Sequence, residues 1–189
     1  MFDLPGHILI LTGSPGAGKS TAARSLVAAS RGPAVHLHSD DFWHYIRKGA
    51  IAPWLPEAQR QNEVVMAVLA QAAEAYAEGG YFVALDGIVG PWLLHAFLSL
   101  KQPLHYIVLR PPLAAALERC RVRGGDTLTD PGPIRALHAR FSSLERLENH
   151  VIETAGHTPE ETLAAIEAAV VSGCFRLGAD FAAAGSPFS

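Results

Sequence analysis

Residues 11–21 of the 189-residue chain read LTGSPGAGKST. Gly13, Gly18, Lys19 and Ser20 occupy the fixed positions of G-x-x-x-x-G-K-[ST], and each residue type there has a chemical reason. Glycines let the backbone curl until consecutive N–H groups face one anion. The run Gly13, Ser14, Pro15, Gly16, Ala17, Gly18 would cradle phosphates, with Thr21 closing the stretch. Lys19 would reach the β- and γ-phosphates, and the Ser20 hydroxyl would ligate Mg²⁺. A helix opening directly after the loop would add the anion-favouring end of its dipole. The pattern needs a strand before it and a helix after it. HILIL (7–11) is an apolar run of strand length, and TAARSLVAAS is Ala- and Leu-rich and stops at Arg31-Gly32-Pro33. The expected ligand is a nucleoside triphosphate.

Two acidic positions follow other apolar runs. AVHLH (34–38) leads into SDDFW, where Asp40 or Asp41 could accept the proton of a phosphate acceptor's hydroxyl. Asp40 is preferred for that role, with Asp41 as the cap of a following helix, FWHYIR. Arg47 and Lys48 could bind an anionic substrate or be plain surface charge. His36 and His38 share one face of the run, and strand histidines are usually structural. YFVALD (81–86) ends in Asp86, where an acidic residue would hold Mg²⁺ directly or through water; an Asp-Gly turn is the alternative. Trp92, just past Pro91, could line an acceptor pocket or pack a helix start. Arg119 and Arg123 are four apart on one helical face and could serve base and phosphate, or pair with Glu118 and other acids on the surface.

The elements that must position these groups alternate. Five strand-like runs (7–11, 34–38, 81–86, 104–109, 150–154) are separated by helical patterns at 57–78, 112–123 and 159–172. In the first, Val64, Val65, Val68, Leu69 and Ala72 are expected on one face. Alternating strands and helices imply crossovers, a parallel sheet and helices on both faces, with ligands at the carboxyl ends of the strands. Residues 124–134 (GGDTLTDPGPI) read as a mobile loop, followed by Arg135, Arg140 and Arg146. Such a flap closing over phosphates would exclude water.

Composition narrows the classes. The chain is 49% hydrophobic and 17% charged, so it is globular rather than disordered. A net charge of −3 with no basic stripe argues against a long nucleic-acid footprint. Cys120 and Cys174 have no metal-binding or disulfide spacing. MFDLPGH lacks the basic start of a signal peptide, and no apolar run reaches the ~18 residues of a membrane span. A cytoplasmic protein without a membrane partner is expected; oligomeric state is not legible.

Residues 7–172 resemble the P-loop small-molecule kinases of the nucleoside-monophosphate-kinase-like group, which includes adenylate, shikimate and gluconate kinases and chloramphenicol phosphotransferases. The carriers are GSPGAGKST, SDDFW, LDG, the Arg119/Arg123 spacing and HVIETAGHTPEETLAAI. SDDFWHYIRKGAIAPWLPEAQRQNE with DGIVGPW further resembles a bacterial subgroup described only as ATP-binding or phosphotransferase-like. The resemblance implies an α/β P-loop NTPase three-layer sandwich with a five-stranded parallel sheet and a small lid. It implies one domain over 1–178, a lid at about 124–146 and a tail at 179–189. It implies ATP and Mg²⁺, Asp40 on the acceptor side with Arg47 and Trp92, Asp86 with Ser20 at the metal, and Arg119 and Arg123 over adenine and phosphate. Lys19, Asp40 and Arg123 are the expected catalytic set.

Two features depart from the pattern. Glu153 stands where many members carry Asp, and Ile-Val-Gly-Pro follows LDG in place of a Pro-Arg pair. The arginine-rich set that binds monophosphates is missing, so the expected partner is a small-molecule hydroxyl acceptor. The expected activity is transfer of the ATP γ-phosphate to that hydroxyl. A nucleotide-binding switch or slow NTPase, and a nucleic-acid 5′-end kinase, are the competing classes. The segment 41–78 would build the acceptor wall, with Phe42, Trp43, Tyr45, Trp54 and Leu55 either lining it or packing a helix on the sheet.

Overall fold

Alternation of five apolar runs with amphipathic segments produces a three-layer arrangement in the computed structural model, which describes residues 2–123, 128–178 and 181. The strands are β1 (Ile8–Thr12), β2 (Ala34–His38), β3 (Phe82–Asp86), β4 (Leu104–Arg110) and β5 (Val151–Glu153). All pair in parallel, in the order β2-β3-β1-β4-β5. All five expected strands are present. β1 and β3 are buried along their whole length, as central parallel strands covered on both faces must be.

The helices are α1 (Lys19–Ala29), α2 (Ser39–His44), α3 (Gln59–Glu78), α4 (Leu113–Arg123), α5 (Pro131–Arg140) and α6 (Pro159–Ser172). Strand alternation divides the core in two. Ile8, Ile10, Val83, Leu85, Tyr106 and Val108 pack with α3 and the 3-10 helical stretch Pro91–Phe97. Leu9, Leu11, Ala84, Ile107 and Leu109 pack with α1 and α6. The start of α6 is fixed by a reciprocal capping box between Thr158 and Glu161, as the Thr-Pro-Glu-Glu signal predicts.

Three expectations need correction. The buried stripe of α3 is Asn62, Val65, Met66, Leu69, Ala70, Ala73 and Ala77, whereas Val64 and Val68 face solvent. Val64 and Val68, four apart, lie together on the side of the helix opposite Met66, and Met66, Leu69, Ala70 and Ala73 carry the 3.6-residue period of the buried side. Residues 131–134 are not loop: Pro131 opens α5, and the Asp130 carboxylate caps it by accepting from the Gly132 N–H at 2.9 Å. Asp41 does not cap α2, which starts at Ser39 with His38 as N-cap and no side-chain cap, so Asp40 and Asp41 both lie in the first turn. Of the lid and tail expectations, residues 124–127, 179–180 and 182–189 lie outside the described residues.

The segment after α6 has a structural task. β5 covers only the last part of β4, and the first part is paired by residues 175–177, with Tyr106 N–H donating to the Phe175 carbonyl at 2.9 Å and Leu177 N–H to the Leu104 carbonyl at 2.8 Å. This covers backbone groups of β4 that would otherwise form an open edge. Below it, His105 is buried with its Nε2 3.0 Å from His7 Nδ1. Burial pushes the His105 pKa down to about 4, with His7 and Arg176 adding to the shift. The unfolded state therefore takes up this proton near pH 6.5 and the folded state only near pH 4. Stability is fully present above pH 6.5 and falls as pH drops through this window, by up to about 3 kcal/mol. Urea melts of wild type and His105→Phe, compared at both ends of the window, will show a shallower pH slope for the variant.

Candidate functional site

The loop between β1 and α1 is shaped by two close approaches. A Cβ at Gly13 (φ +140°) would lie 2.3 Å from the Leu109 carbonyl oxygen, and one at Gly16 (φ +77°) 2.2 Å from that of Ala116. The loop is thus pressed against the end of β4 and against α4, and glycine alone fits. Gly16→Ala combines the left-handed φ with this overlap and is expected to cost at least about 1–3 kcal/mol. A drop in melting temperature together with weakened nucleotide binding will check it.

Gly18 is the N-cap of α1 and supplies no side-chain cap. The first N–H groups of α1 are left for an anion, as at other anion-binding helix starts. The Ser14 hydroxyl is buried without a hydrogen-bond partner among the described residues. Lys19 Nζ donates to the Ser14 carbonyl at 3.0 Å. Burial lowers the Lys19 pKa, while Asp86 and Asp40 pull it back up and Arg123 adds to the lowering. Asp86, Asp40 and Arg123 therefore all lie within electrostatic reach of Lys19.

Asp86 sits at the carboxyl end of β3, opposite Leu11 of β1 and His38 of β2. Its carboxylate is fully buried and its two oxygens face different ways. Oδ2 accepts from the Ser20 hydroxyl at 2.5 Å, and Oδ1 lies 2.5 Å from His36 Nε2 and 3.0 Å from His38 Nδ1. Burial works against its charge, but hydrogen bonds from His36, His38 and Ser20 hold its pKa well below the usual carboxylate range. The bond to Asp86 raises the His38 pKa, against an opposing effect of burial. Ser20 Oγ and Asp86 Oδ2 form the hard oxygen pair that suits Mg²⁺. With the orphan N–H groups and the Ser14 hydroxyl, the residues fit Mg²⁺ and a polyphosphate.

Asp40 projects from the first turn of α2, half exposed, with Oδ2 3.7 Å from His38 Nε2. Asp40 acts on Lys19, and both Asp40 and Asp41 act on His38. Arg119 donates to the Gly16 carbonyl at 3.3 Å, which places it on the loop. Glu118 pairs with Arg121 at 2.7 Å, so the surface pairing considered for Arg119 and Arg123 goes to their neighbour instead. Arg47 is exposed and makes no hydrogen bond or ion pair among the described residues, and nothing draws it to the loop. Trp92 follows Pro91 in the 3-10 stretch with the Phe141 ring 5.4 Å from its own, and the Arg140 guanidinium stacks 3.4 Å above its ring. Phe42 and Trp43 pack on the core, whereas Tyr45, Trp54 and Leu55 are exposed.

Sequence reasoning passed over His36 and His38 as structural and gave Arg140 no individual partner. Their i, i+2 spacing showed that the histidines share a face, but only the β2–β3 register aims that face at Asp86. Ala84, the partner of His36, is small enough to let that ring lean along the sheet.

The fold recurs in solved structures at low identity. A tunicamycin resistance protein from Deinococcus radiodurans aligns at TM-score 0.63 and 22% identity, covering 86% of this chain and 94% of that one. A shikimate kinase from Acinetobacter baumannii, in complex with shikimate, aligns at 0.62 and 21%, covering 89% and 94%. A gluconokinase from Sinorhizobium meliloti 1021 aligns at 0.60 and 17%, covering 92% and 93%. No curated protein sequence matches the chain. Among the described residues no helix is long and apolar enough to cross a membrane. Residues 8–147, which run from β1 through the loop, Asp40, Asp86 and the arginines of α4, match the AAA_33 family, described as an AAA domain, and the chain belongs to that P-loop family.

Proposed function

We propose that the protein is a small-molecule kinase that moves the γ-phosphate of ATP to a hydroxyl of its acceptor. The observation that carries this reading is the convergence of Lys19, the Ser20–Asp86 pair and Asp40 at the carboxyl ends of the strands, around a loop whose helix start has no cap of its own. Lys19 would leave the Ser14 carbonyl for the phosphates, a better partner for a half-buried ammonium. Ser20 and Asp86 would hold Mg²⁺, which when bound neutralises charge on the β- and γ-phosphate oxygens. Asp40 would orient the acceptor hydroxyl and take its proton as the new oxygen–phosphorus bond forms and ADP leaves. Arg119, seated on the loop, and Arg123, within electrostatic reach of Lys19, would neutralise the transferring group or cover the base. Because the transition state is loose, this is work of positioning and electrostatics. The exposed Tyr45, Trp54 and Leu55 support an acceptor with an apolar body.

The test is ATP consumption with Mg²⁺ over a panel of hydroxylated acceptors: antibiotics, sugar acids, nucleosides, shikimate-like acids and short RNA ends. Turnover that depends on one acceptor and is lost in Lys19→Ala, by about 10²–10³ in kcat, supports the kinase. Slow turnover indifferent to every acceptor and unchanged in Asp40→Asn would favour a nucleotide switch instead.

A further inference from the structure

We infer that the Oδ1 side of Asp86 is a second cation site, formed with His36 Nε2 and His38 Nδ1, that takes a divalent first-row transition ion in preference to Mg²⁺. The three donor atoms lie within 4.8 Å of one another. Two metal bonds of about 2.1 Å at a right angle put their donor atoms about 3 Å apart. His38 Nδ1 and Asp86 Oδ1 already stand 3.0 Å apart, and His36 Nε2, at 2.5 Å, has only to open by about half an ångström to reach the same separation. Two imidazoles and one carboxylate on one face are a ligand set for Mn²⁺, Fe²⁺, Co²⁺ or Zn²⁺, whereas Mg²⁺ selects oxygen.

The backbone explains the convergence. His36 and His38 are two apart and so share a face of β2. Parallel register sets His38 beside Asp86 and His36 beside Ala84, whose methyl leaves room for the ring to reach along the sheet. β2 is an edge strand, and the His36 and His38 side chains are 20% and 33% exposed. An ion can enter there and keep water in its remaining positions. Binding uses the lone pairs of Nε2 and Nδ1, so each ring carries its proton on the other nitrogen. For His38 that nitrogen lies 3.7 Å from Asp40 Oδ2. A carboxylate behind a metal-bound histidine is the usual outer support of such a ligand.

The site is separate from the Mg²⁺ position proposed above, because Asp86 uses its other oxygen toward Ser20. Binding tethers β2 to β3 and brings a cation close to the phosphate loop. It does not require that the protein phosphorylate anything.

The experiment uses the full chain, stripped with chelator and free of nucleotide, titrated with Co²⁺ and followed by calorimetry and visible d–d absorption. One saturable Co²⁺ per chain that persists in excess Mg²⁺ is expected. His36→Gln and His38→Gln should each weaken it at least as much as the roughly 10–100-fold that loss of an outer-shell partner costs. Gln keeps an N–H for Asp86 but is a poor ligand, so a merely hydrogen-bonding role would leave Co²⁺ binding unmoved. His105→Gln, in the other histidine pair, should bind as wild type does. If His36→Gln does not fold, His38→Gln alone decides. No saturable Co²⁺, Co²⁺ binding unchanged in the folded Gln variants, or ready displacement by Mg²⁺ would overturn the inference. Acceptor-dependent turnover with Mg²⁺, measured alongside, separates the two readings. Turnover without a Co²⁺ site removes only this inference, and a Co²⁺ site without turnover removes only the kinase.

Discussion

Asp40→Asn is expected to lower kcat by about 10²–10⁴-fold, the usual worth of a positioned general base, and to leave nucleotide affinity unchanged. Asp40 stands in the first turn of α2, beyond the end of β2, half exposed and within electrostatic reach of Lys19. Asn preserves shape and hydrogen bonding to the Ser39 hydroxyl, which lies 3.4 Å from Asp40 Oδ1, but cannot take a proton. The loss should therefore appear in kcat, while binding of a fluorescent ATP analogue stays at the wild-type level. Asp41→Asn, on the same turn but not the residue placed at the acceptor, should cost far less. Equal losses in the two variants, or a loss of nucleotide binding in Asp40→Asn, would remove Asp40 from the acceptor role.

The second large effect is expected at Asp86. Asp86→Asn should lower turnover by at least about 10²–10³-fold, since stabilisation of transition-state charge by a metal is worth several kcal/mol. The defect should lessen as Mg²⁺ is raised, which separates it from the Asp40 variant. The physical reason is that Asp86 keeps a full negative charge in a buried position, where three donors hold it against the cost of burial. Asn is neutral and would turn an NH₂ toward either Ser20 or both histidines, so it donates where the carboxylate accepted. A magnesium titration of kcat/KM in both variants reads the difference directly. An Asp86→Asn enzyme with wild-type magnesium dependence would place the metal elsewhere.

Much of the fold could be read along the chain because its signals are local. HILIL followed by a glycine-rich turn and an Ala-rich helix announces β1, the loop and α1 within 23 residues of sequence, 7–29. Asp86 stands out along the chain because it ends an apolar run, and the structure puts it at the end of β3. The less legible parts depend on competition between neighbours. Val64 and Val68 look as apolar as Val65 and Leu69, and which of them α3 buries depends on where the sheet lies. Pro131 and Pro133 within GGDTLTDPGPI suggested loop, yet a proline at the first turn of a helix loses no hydrogen bond, and Asp130 caps the turn.

By itself the sequence determined an anion-binding loop, five parallel strands and the acidic residues that follow two of them, because spacing of residue types and strand-helix alternation are properties of short segments. Tertiary structure decided the rest. The β2–β3 register brings His36 and His38 onto one oxygen of Asp86 and leaves the other to Ser20. The approach of α4 to Gly16 sets Arg119 on the loop, and the docking of α5 lays Arg140 over Trp92. Each of these contacts joins residues dozens of positions apart. Their geometry follows from how strands pair and helices pack, which no local pattern carries.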